Sequence, residues 1–222
     1  MRVAIATESF LPQANGVTTA VLHVSRQLQR RGHEVLILAP GPGPTRHHDA
    51  RVVRIRAVRL PTYAGLPVGL PDPLLRRSLE EFRPDLVHLA SPVALGAAAL
   101  RAARQLHLPT VGVFQTDVSG FLRQYGAVAT GRVVDRWLGS LHQAMDLTLT
   151  PSHGGRVYLE NLGVERLRVW RPGVTLDAYG TSPEDASTDP GGAAVRTWAA
   201  AVDELVGEHY ARVIGVRTRR VA

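Results

Sequence analysis

The sequence predicts an α/β fold in which a parallel β-sheet is covered by helices on both faces. Short apolar segments alternate along the chain with segments whose apolar residues recur at helical spacing. The short segments are mainly apolar, as in strands that are buried on both faces. Helical connections between such strands are typical of a parallel sheet. Ligands then bind beyond the carboxyl ends of the strands. The candidate loops are 8–16, 40–49, 90–92, 115–120 and 151–154.

Seven segments are predicted as strands. They are residues 3–7, 34–39, 51–55, 85–89, 110–114, 147–150 and 168–170. Five helices are predicted between them. Three of them are predicted over 17–31, 93–106 and 153–162. The other two are indicated by apolar residues at helical spacing: Leu74, Leu75, Leu79 and Phe82 in one, and Val134, Trp137, Leu138, Leu141 and Met145 in the other. Ser91 and Pro92 form a good N-cap and first-turn pair for the helix over 93–106. Gly163 is predicted to follow the last helix as its C-cap glycine.

The composition changes over residues 179–192, which are predicted to be a linker because glycine, proline and small polar residues dominate there. Apolar residues then return at helical spacing, and a C-terminal helix is predicted over 193–216. The predicted organisation is therefore a first domain over 1–178, the linker and this helix. A length of 222 residues fits one domain by default, and two small ones also fit.

The composition, 45% hydrophobic and 20% charged, is that of a globular protein. The absence of cysteine excludes disulfides, zinc–thiolate sites and cysteine nucleophiles. Every basic residue other than histidine is arginine, and the absence of lysine excludes Schiff-base chemistry and a Walker-type phosphate loop. The net charge of +7 has two interpretations, GC-rich coding or attraction to anionic surfaces. A cytoplasmic protein is expected, because neither a membrane-spanning apolar run nor a signal-peptide layout is present.

The segment from Asn15 to Val17 is the strongest candidate binding site. A buried strand runs into a small-residue turn and a helix start, where Gly16 lets a ligand approach the backbone. The helix N-terminus adds a partial positive charge. The residues alone leave two interpretations open, a site for a phosphate or carboxylate and an ordinary strand-to-helix turn.

Three segments near the start of the chain have sequences that are characteristic of one protein family. They read Thr7-Glu8-Ser9-Phe10-Leu11-Pro12, Asn15-Gly16-Val17 and Arg31-Gly32-His33-Glu34-Val35. Together they resemble the opening of glycosyltransferase family 4, and most of all the GDP-mannose-dependent α-mannosyltransferases that act on phosphoinositide or glycolipid acceptors. The resemblance implies a GT-B fold, with two Rossmann-like domains facing across a cleft. This chain is expected to contain the N-terminal, acceptor-side domain.

The resemblance implies retaining transfer of mannose from GDP-mannose to a lipid-linked or inositol-type acceptor. No cofactor is expected beside the nucleotide sugar. Residues 171–174 resemble the phrase that closes the first domain, and residues 196–210 resemble the final helix that crosses back onto it. The donor-binding domain is therefore expected to be missing between them; a generic amphipathic helix is the alternative. The Arg/Lys pair and E-x7-E motif of family members do not occur here, so we expect weak or absent transfer.

The resemblance also assigns site residues. Those expected to bind donor or acceptor are Glu8, Ser9, Asn15, Gly16, Val17 and Thr116. Gln115 and Asp117 are expected at the catalytic centre, near the sugar and the acceptor. Gln115 stands where many relatives have histidine; its amide can hydrogen-bond a hydroxyl but cannot act as a general acid or base. Turn capping is the alternative for Asp117.

Basic residues suggest a membrane-facing side. Arg123, Arg132 and Arg136, accompanied by aromatic residues, are expected to meet a membrane or an acceptor phosphate, and a solvated basic face is the alternative. A second set has the same two interpretations, acceptor phosphate or sheet edge: Arg51, Arg54, Arg56 and Arg59. The expected partners are a nucleotide sugar, a lipid or inositol-type acceptor and an anionic membrane surface, with peripheral attachment at its inner face. No nucleic acid is expected.

Other functions are weighed against this one. His47, His48 and Asp49 are metal-ligand types, but without a further donor a solvated loop is favoured and no metal is expected. The absence of an Asp-x-Asp pair disfavours a GT-A transferase, and the absence of Gly-x-Ser-x-Gly disfavours a serine hydrolase. Two alternatives stay open: a non-catalytic acceptor- or membrane-binding module, and a fragment of a UDP-sugar-dependent glycolipid transferase.

Overall fold

The computed structural model describes residues 1–59, 67–69, 72–115, 128–174 and 196–221. The strands within these residues are β1 Arg2–Thr7, β2 Glu34–Pro40, β3 Arg46–His47, β4 Ala50–Ile55, β5 Ala57–Arg59, β6 Pro67–Gly69, β7 Leu86–Ala90, β8 Thr110–Val113, β9 Leu147–Thr150 and β10 Leu167–Val169. Eight of them form one sheet in the order β10-β9-β8-β7-β1-β2-β4-β3, and β5 pairs with β6. The large sheet is parallel except for the antiparallel pair of β3 and β4.

All seven predicted strands are present, with ends that differ from the prediction by at most one residue. The sequence did not predict β3, β5 and β6. Each of them has only two or three residues, which is too short to leave a hydropathy period. The predicted parallel α/β sheet is therefore confirmed.

The helices between the strands are α1 Gly16–Arg30, α2 Pro73–Phe82, α3 Ala94–Gln105, α4 Val128–Gln143 and α5 His153–Asn161. The predicted glycine after the last of these is confirmed, because Gly163 has a φ of 83° just beyond the helix end. A C-terminal helix follows over residues 198–221. It is α-helical over Trp198–Glu204, π-helical over Leu205–Tyr210 and α-helical over Ala211–Val221.

The two faces of the sheet bury two separate apolar clusters, because successive side chains of a strand point to opposite faces. In β1, Val3 and Ile5 join the cluster under α1 and the C-terminal helix. Ala4 and Ala6 join the opposite cluster, under α2 and α3. Strands buried on both faces need apolar residues at nearly every position, which is the pattern that the sequence shows.

The C-terminal helix is part of the first of these clusters. Its buried residues are Trp198, Ala201, Val202, Leu205, Tyr210 and Val213. Polar contacts fix its position: the Trp170 indole N–H donates to the Ala201 carbonyl at 2.8 Å, and Arg31 Nε donates to Asp203 at 2.7 Å. The helix therefore completes one wall of the domain. The predicted linker, 179–192, lies outside the described residues.

A buried hydrogen bond joins the C-terminal helix to the middle of the sheet. The Tyr210 hydroxyl lies 2.7 Å from Nδ1 of His88, which stands at the centre of β7. Both side chains are almost fully buried. Burial lowers the pKa of His88 to about 4, so the imidazole is neutral at pH 7. A neutral imidazole nitrogen can accept a hydrogen bond from the phenol O–H, and the pair is therefore satisfied without a buried charge.

Candidate functional site

The carboxyl ends of the central strands meet at one level. Thr7 of β1 pairs with Ala90 of β7, and Ala90 pairs with Val113 of β8. The ladder continues into the next loop, where the Phe114 N–H donates to the Leu149 carbonyl at 2.8 Å. Loops 8–15, 91–93 and 151–152 therefore begin side by side, together with the residue that follows Phe114. This is the edge at which the sequence predicted ligand binding.

The loop after β1 is held by the hydroxyl of Ser9, which is almost fully buried. Ser9 Oγ donates to Gln13 Oε1 at 3.0 Å and accepts from Asn15 Nδ2 at 2.7 Å. A third hydrogen bond of 3.1 Å joins it to Thr18 Oγ1. The Thr7 hydroxyl donates to the Ser9 carbonyl at 2.8 Å. Ser9 is thus the centre of a polar network that fixes the loop.

Asn15 links this network to α1. Its side-chain oxygen accepts the Thr18 N–H at 2.9 Å, and its carbonyl accepts the Thr19 N–H at 2.9 Å. The first two N–H groups of the helix, on Gly16 and Val17, have no acceptor within the helix. Gly16 is exposed, and a Cβ at its position would meet no atom within 4 Å. The predicted combination of open backbone and helix N-terminus is therefore present at this position.

Glu8 has a structural role that the sequence did not reveal. Its carboxylate is buried and accepts N–H groups from Val93 at 2.7 Å, Gly96 at 2.7 Å and Leu95 at 3.2 Å. Burial raises the pKa of Glu8, and these three hydrogen bonds oppose the shift. The carboxylate therefore caps the N-terminus of α3, where it also faces the positive end of the helix dipole. Direct contact of Glu8 with donor or acceptor stays a prediction.

The predicted cap of α3 was wrong. The helix begins at Ala94, with Val93 at the N-cap position and no side-chain hydrogen bond from it. Ser91 is too early in the chain to cap the helix; it has a φ of 52° and its N–H donates to the Val113 carbonyl at 2.9 Å. The sequence pattern failed because the cap comes from Glu8, 85 positions away from Val93 along the chain.

Arg54 ties the loop after β1 to the loop after β2. Its Nη2 donates to the Leu11 carbonyl at 2.8 Å and to the Pro44 carbonyl at 2.9 Å, and its guanidinium lies over the Phe10 ring. A Cβ on Gly43 would lie 2.4 Å from Arg54 Nη2, so this close approach needs glycine. Of the two interpretations of Arg54, the structure gives the one in which it fills space at the sheet edge.

A family model decides what kind of domain carries this edge. The model of glycosyltransferase family 4 matches residues 14–178. The chain belongs to glycosyltransferase family 4. It is 44% identical over 188 residues to a GDP-mannose-dependent alpha-mannosyltransferase of Mycobacterium tuberculosis. This match covers 82% of this chain and 50% of that protein. It is 42% identical over 213 residues to the protein of the same name from Mycolicibacterium smegmatis, with 93% and 55% covered.

The family 4 assignment agrees with the fold. The crystal structure of Anabaena Alr3699/HepE in complex with UDP is similar, with a TM-score of 0.59 and 17% sequence identity. The match covers 84% of this chain and 48% of that one. The predicted fold, one α/β domain of the GT-B type, is therefore confirmed. The chain spans about half the length of the curated relatives it matches.

The other predicted site residues of this family 4 domain do not all lie at the carboxyl edge of the sheet. Gln115 is half-buried and directly follows Phe114 at the carboxyl end of β8, beside the loops described above. Thr116, Asp117 and Arg123 lie outside the described residues. Arg132 and Arg136 are exposed on α4, away from the network around Ser9 in sequence and in the fold. The structure thus brings Glu8, Ser9 and the start of α1 into one site.

The described part of the chain adds two findings about membranes and metals. None of its helices combines the length and the hydropathy that a bilayer crossing requires. No group of three or more histidine and acidic side chains within it could hold a metal ion. His47 and His48 touch edge to face at 4.5 Å between ring centroids, but no further ligand type joins them.

Proposed function

We propose that this protein carries the acceptor-side domain of a retaining mannosyltransferase. In that reaction the bond between the mannose anomeric carbon and the β-phosphate oxygen of GDP-mannose breaks. A new bond forms from the same carbon to an acceptor hydroxyl oxygen, the hydroxyl loses its proton, and GDP is released. The acceptor is proposed to be lipid-linked or of the inositol type.

One observation carries this proposal. The chain is 42–44% identical, over more than four fifths of its length, to two proteins named GDP-mannose-dependent alpha-mannosyltransferases. The edge with Ser9, Asn15 and Gly16 supports the proposal, because exposed N–H groups at a helix start suit a diphosphate.

The proposed roles follow from the chemistry of the residues. The N–H groups of Gly16 and Val17 are proposed to approach the donor diphosphate, which gains negative charge as the sugar leaves. Gln115 is proposed to hydrogen-bond a sugar or acceptor hydroxyl. The 222 residues contain no lysine and no pair of glutamates spaced as E-x7-E. We therefore propose that the chain on its own transfers mannose weakly or not at all.

The test is transfer of radiolabelled mannose from GDP-mannose to extracted membrane lipids. The purified chain is assayed beside the Mycolicibacterium smegmatis relative, and a parallel reaction supplies UDP-glucose with radiolabelled glucose as the donor. Slow, mannose-specific labelling by the chain supports the proposal. Labelling as fast as that by the relative contradicts the slow rate. Labelling by UDP-glucose alone contradicts the donor and favours the UDP-sugar alternative.

Attachment to an anionic membrane is a second candidate function, and the exposed face of α4 favours it. Val133 is 65% exposed and Trp137 is 38% exposed. Arg132 and Arg136 are exposed beside them, one helical turn apart. Apolar and aromatic residues beside cations are the composition of helices that lie in a bilayer interface. Each arginine near an anionic surface contributes roughly 1 kcal/mol.

Vesicle cosedimentation tests this second function. Reversing both charges, in Arg132→Glu/Arg136→Glu, is expected to weaken binding to phosphatidylserine vesicles at least about tenfold. The matched control is Arg101→Glu/Arg104→Glu, which changes the net charge equally on the exposed face of α3. Equal losses in both variants would show that only net charge matters and would contradict a binding face on α4.

A further inference from the structure

We infer that Glu8 is a positioning residue that couples the loop over 8–15 to the first turn of α3. It acts on the proposed donor site through other residues and touches no substrate itself. The inference rests on the proposed function for its catalytic meaning, but its test needs no substrate.

The first step is that the buried carboxylate of Glu8 is already engaged by the first turn of α3. Its Oε1 accepts the Val93 and Gly96 N–H groups, both at 2.7 Å, and its Oε2 accepts the Leu95 N–H at 3.2 Å. The Glu8 side chain is buried. The close packing beside it needs glycine at position 96, because a Cβ there would lie 2.4 Å from the Pro92 side chain. The carboxylate is therefore enclosed by the turn it caps.

The second step is that a remote cap is an unusual solution. Helices are ordinarily capped by a Ser, Thr, Asp or Asn at the N-cap position itself. Here that position is Val93, which offers no acceptor. A buried carboxylate must lose its hydration, and only close donors compensate for that loss. A local cap would avoid that desolvation, whereas the cap from Glu8 joins α3 to the loop after β1.

The third step is continuity. Glu8 directly precedes Ser9, whose hydroxyl bonds Gln13, Asn15 and Thr18. Asn15 in turn caps α1 through the Thr18 N–H. Two sets of hydrogen bonds, one at the start of α3 and one at the start of α1, are therefore joined by the peptide bond between Glu8 and Ser9. The starts of α1 and α3 are therefore held in fixed positions relative to each other at the carboxyl edge of the sheet.

The fourth step concerns charge. An unpaired carboxylate at the end of β1 would repel a diphosphate bound near Gly16. Three N–H donors and the positive end of the α3 dipole compensate the charge of Glu8. Glu8 can therefore lie beside the proposed donor site without cancelling the attraction of that site for an anion.

The test is amide hydrogen exchange, read by NMR, on the intact chain and the variants Glu8→Gln and Glu8→Ala. The reporters on one side are Val93, Leu95 and Gly96. The reporters on the other are the bonded N–H groups of Gln13, Thr18 and Thr19. Glu8→Ala is expected to speed exchange about tenfold on both sides, equivalent to about 1.4 kcal/mol of local opening free energy. Glu8→Gln keeps one acceptor oxygen and is expected to have an intermediate effect.

Two controls decide between positioning and simple capping. Glu165→Gln makes the same chemical change at an exposed site and should leave both sets of reporters unchanged. Val93→Asp in the Glu8→Ala background supplies a local cap; it should restore slow exchange in α3 but not at Thr18 and Thr19. Three results would each overturn the inference. Exchange could become faster in α3 alone, or equally faster at all amides. Val93→Asp could also restore slow exchange at both sets of reporters. Mannose transfer by the wild type as fast as that by the relative, or transfer from UDP-glucose alone, would overturn only the proposed function.

Discussion

The hydrogen bond between Tyr210 and His88 predicts a defined loss of stability in Tyr210→Phe. The substitution keeps the ring and removes one hydroxyl from a site where both residues are almost fully buried. His88 Nδ1, 2.7 Å from that hydroxyl, then has no phenol partner. Leaving a buried polar atom unsatisfied costs about 1–3 kcal/mol. The free energy of unfolding is therefore expected to fall by about 2 kcal/mol.

Urea unfolding at pH 7 measures this loss. With a slope of about 2 kcal/mol/M, the midpoint should fall by about 1 M. The double-mutant cycle with His88→Leu isolates the pair, because removing both polar groups leaves nothing unsatisfied. The double variant should be more stable than the sum of the single losses implies, by about 1–2 kcal/mol.

The matched control is Tyr158→Phe, which removes a hydroxyl that bonds Asp135 at a half-buried site between α4 and α5. Water can replace that partner, so its loss should be smaller. Equal losses in the two variants, or additive effects in the cycle, would refute the reasoning that the buried pair anchors the C-terminal helix.

Other expected outcomes follow from burial and close packing. Burial lowers the pKa of His88 and of His142 to about 4 each, so both stay neutral in the fold while the unfolded chain binds their protons near pH 6.5. The free energy of unfolding should therefore fall as the pH is lowered from 6.5 to 4, by about 3 kcal/mol per histidine; constant stability over that range in pH-dependent urea titrations would contradict this. Gly43→Ala should destabilise the fold by about 1–3 kcal/mol, since its Cβ would lie 2.4 Å from Arg54 Nη2 and from a backbone oxygen. Gly16→Ala, with open space around the Cβ, is the control and should not lower the thermal midpoint.

The hydropathy pattern predicted the sheet well because local and tertiary requirements agree there. Residues 3–7 and 86–90 are apolar at all but one position each, and strands covered on both faces need that pattern. The open start of α1 was also predictable, since Asn15 and Gly16 are local signals for a helix N-terminus. These features depend on neighbouring residues in the chain.

The polar contacts were not predictable, because their partners are far apart in sequence. Glu8 bonds residues 93–96, and His88 bonds a tyrosine 122 positions later. A histidine in an apolar strand does signal a buried polar group that needs a partner, but it does not identify the partner. His142, also buried, gives no such signal on its helix. The predicted roles of Thr116, Asp117 and Arg123 stay predictions.

The wall formed by the C-terminal helix has a consequence for biosynthesis. The strand residues Val3 and Ile5 belong to the cluster that Trp198, Leu205 and Val213 help to cover. Translation produces the strands first and the covering helix about 200 residues later. Until residue 213 has left the ribosome, part of this apolar face lacks its cover, and such surfaces promote aggregation. We therefore expect a chain truncated before residue 198 to aggregate more readily than the full 222 residues.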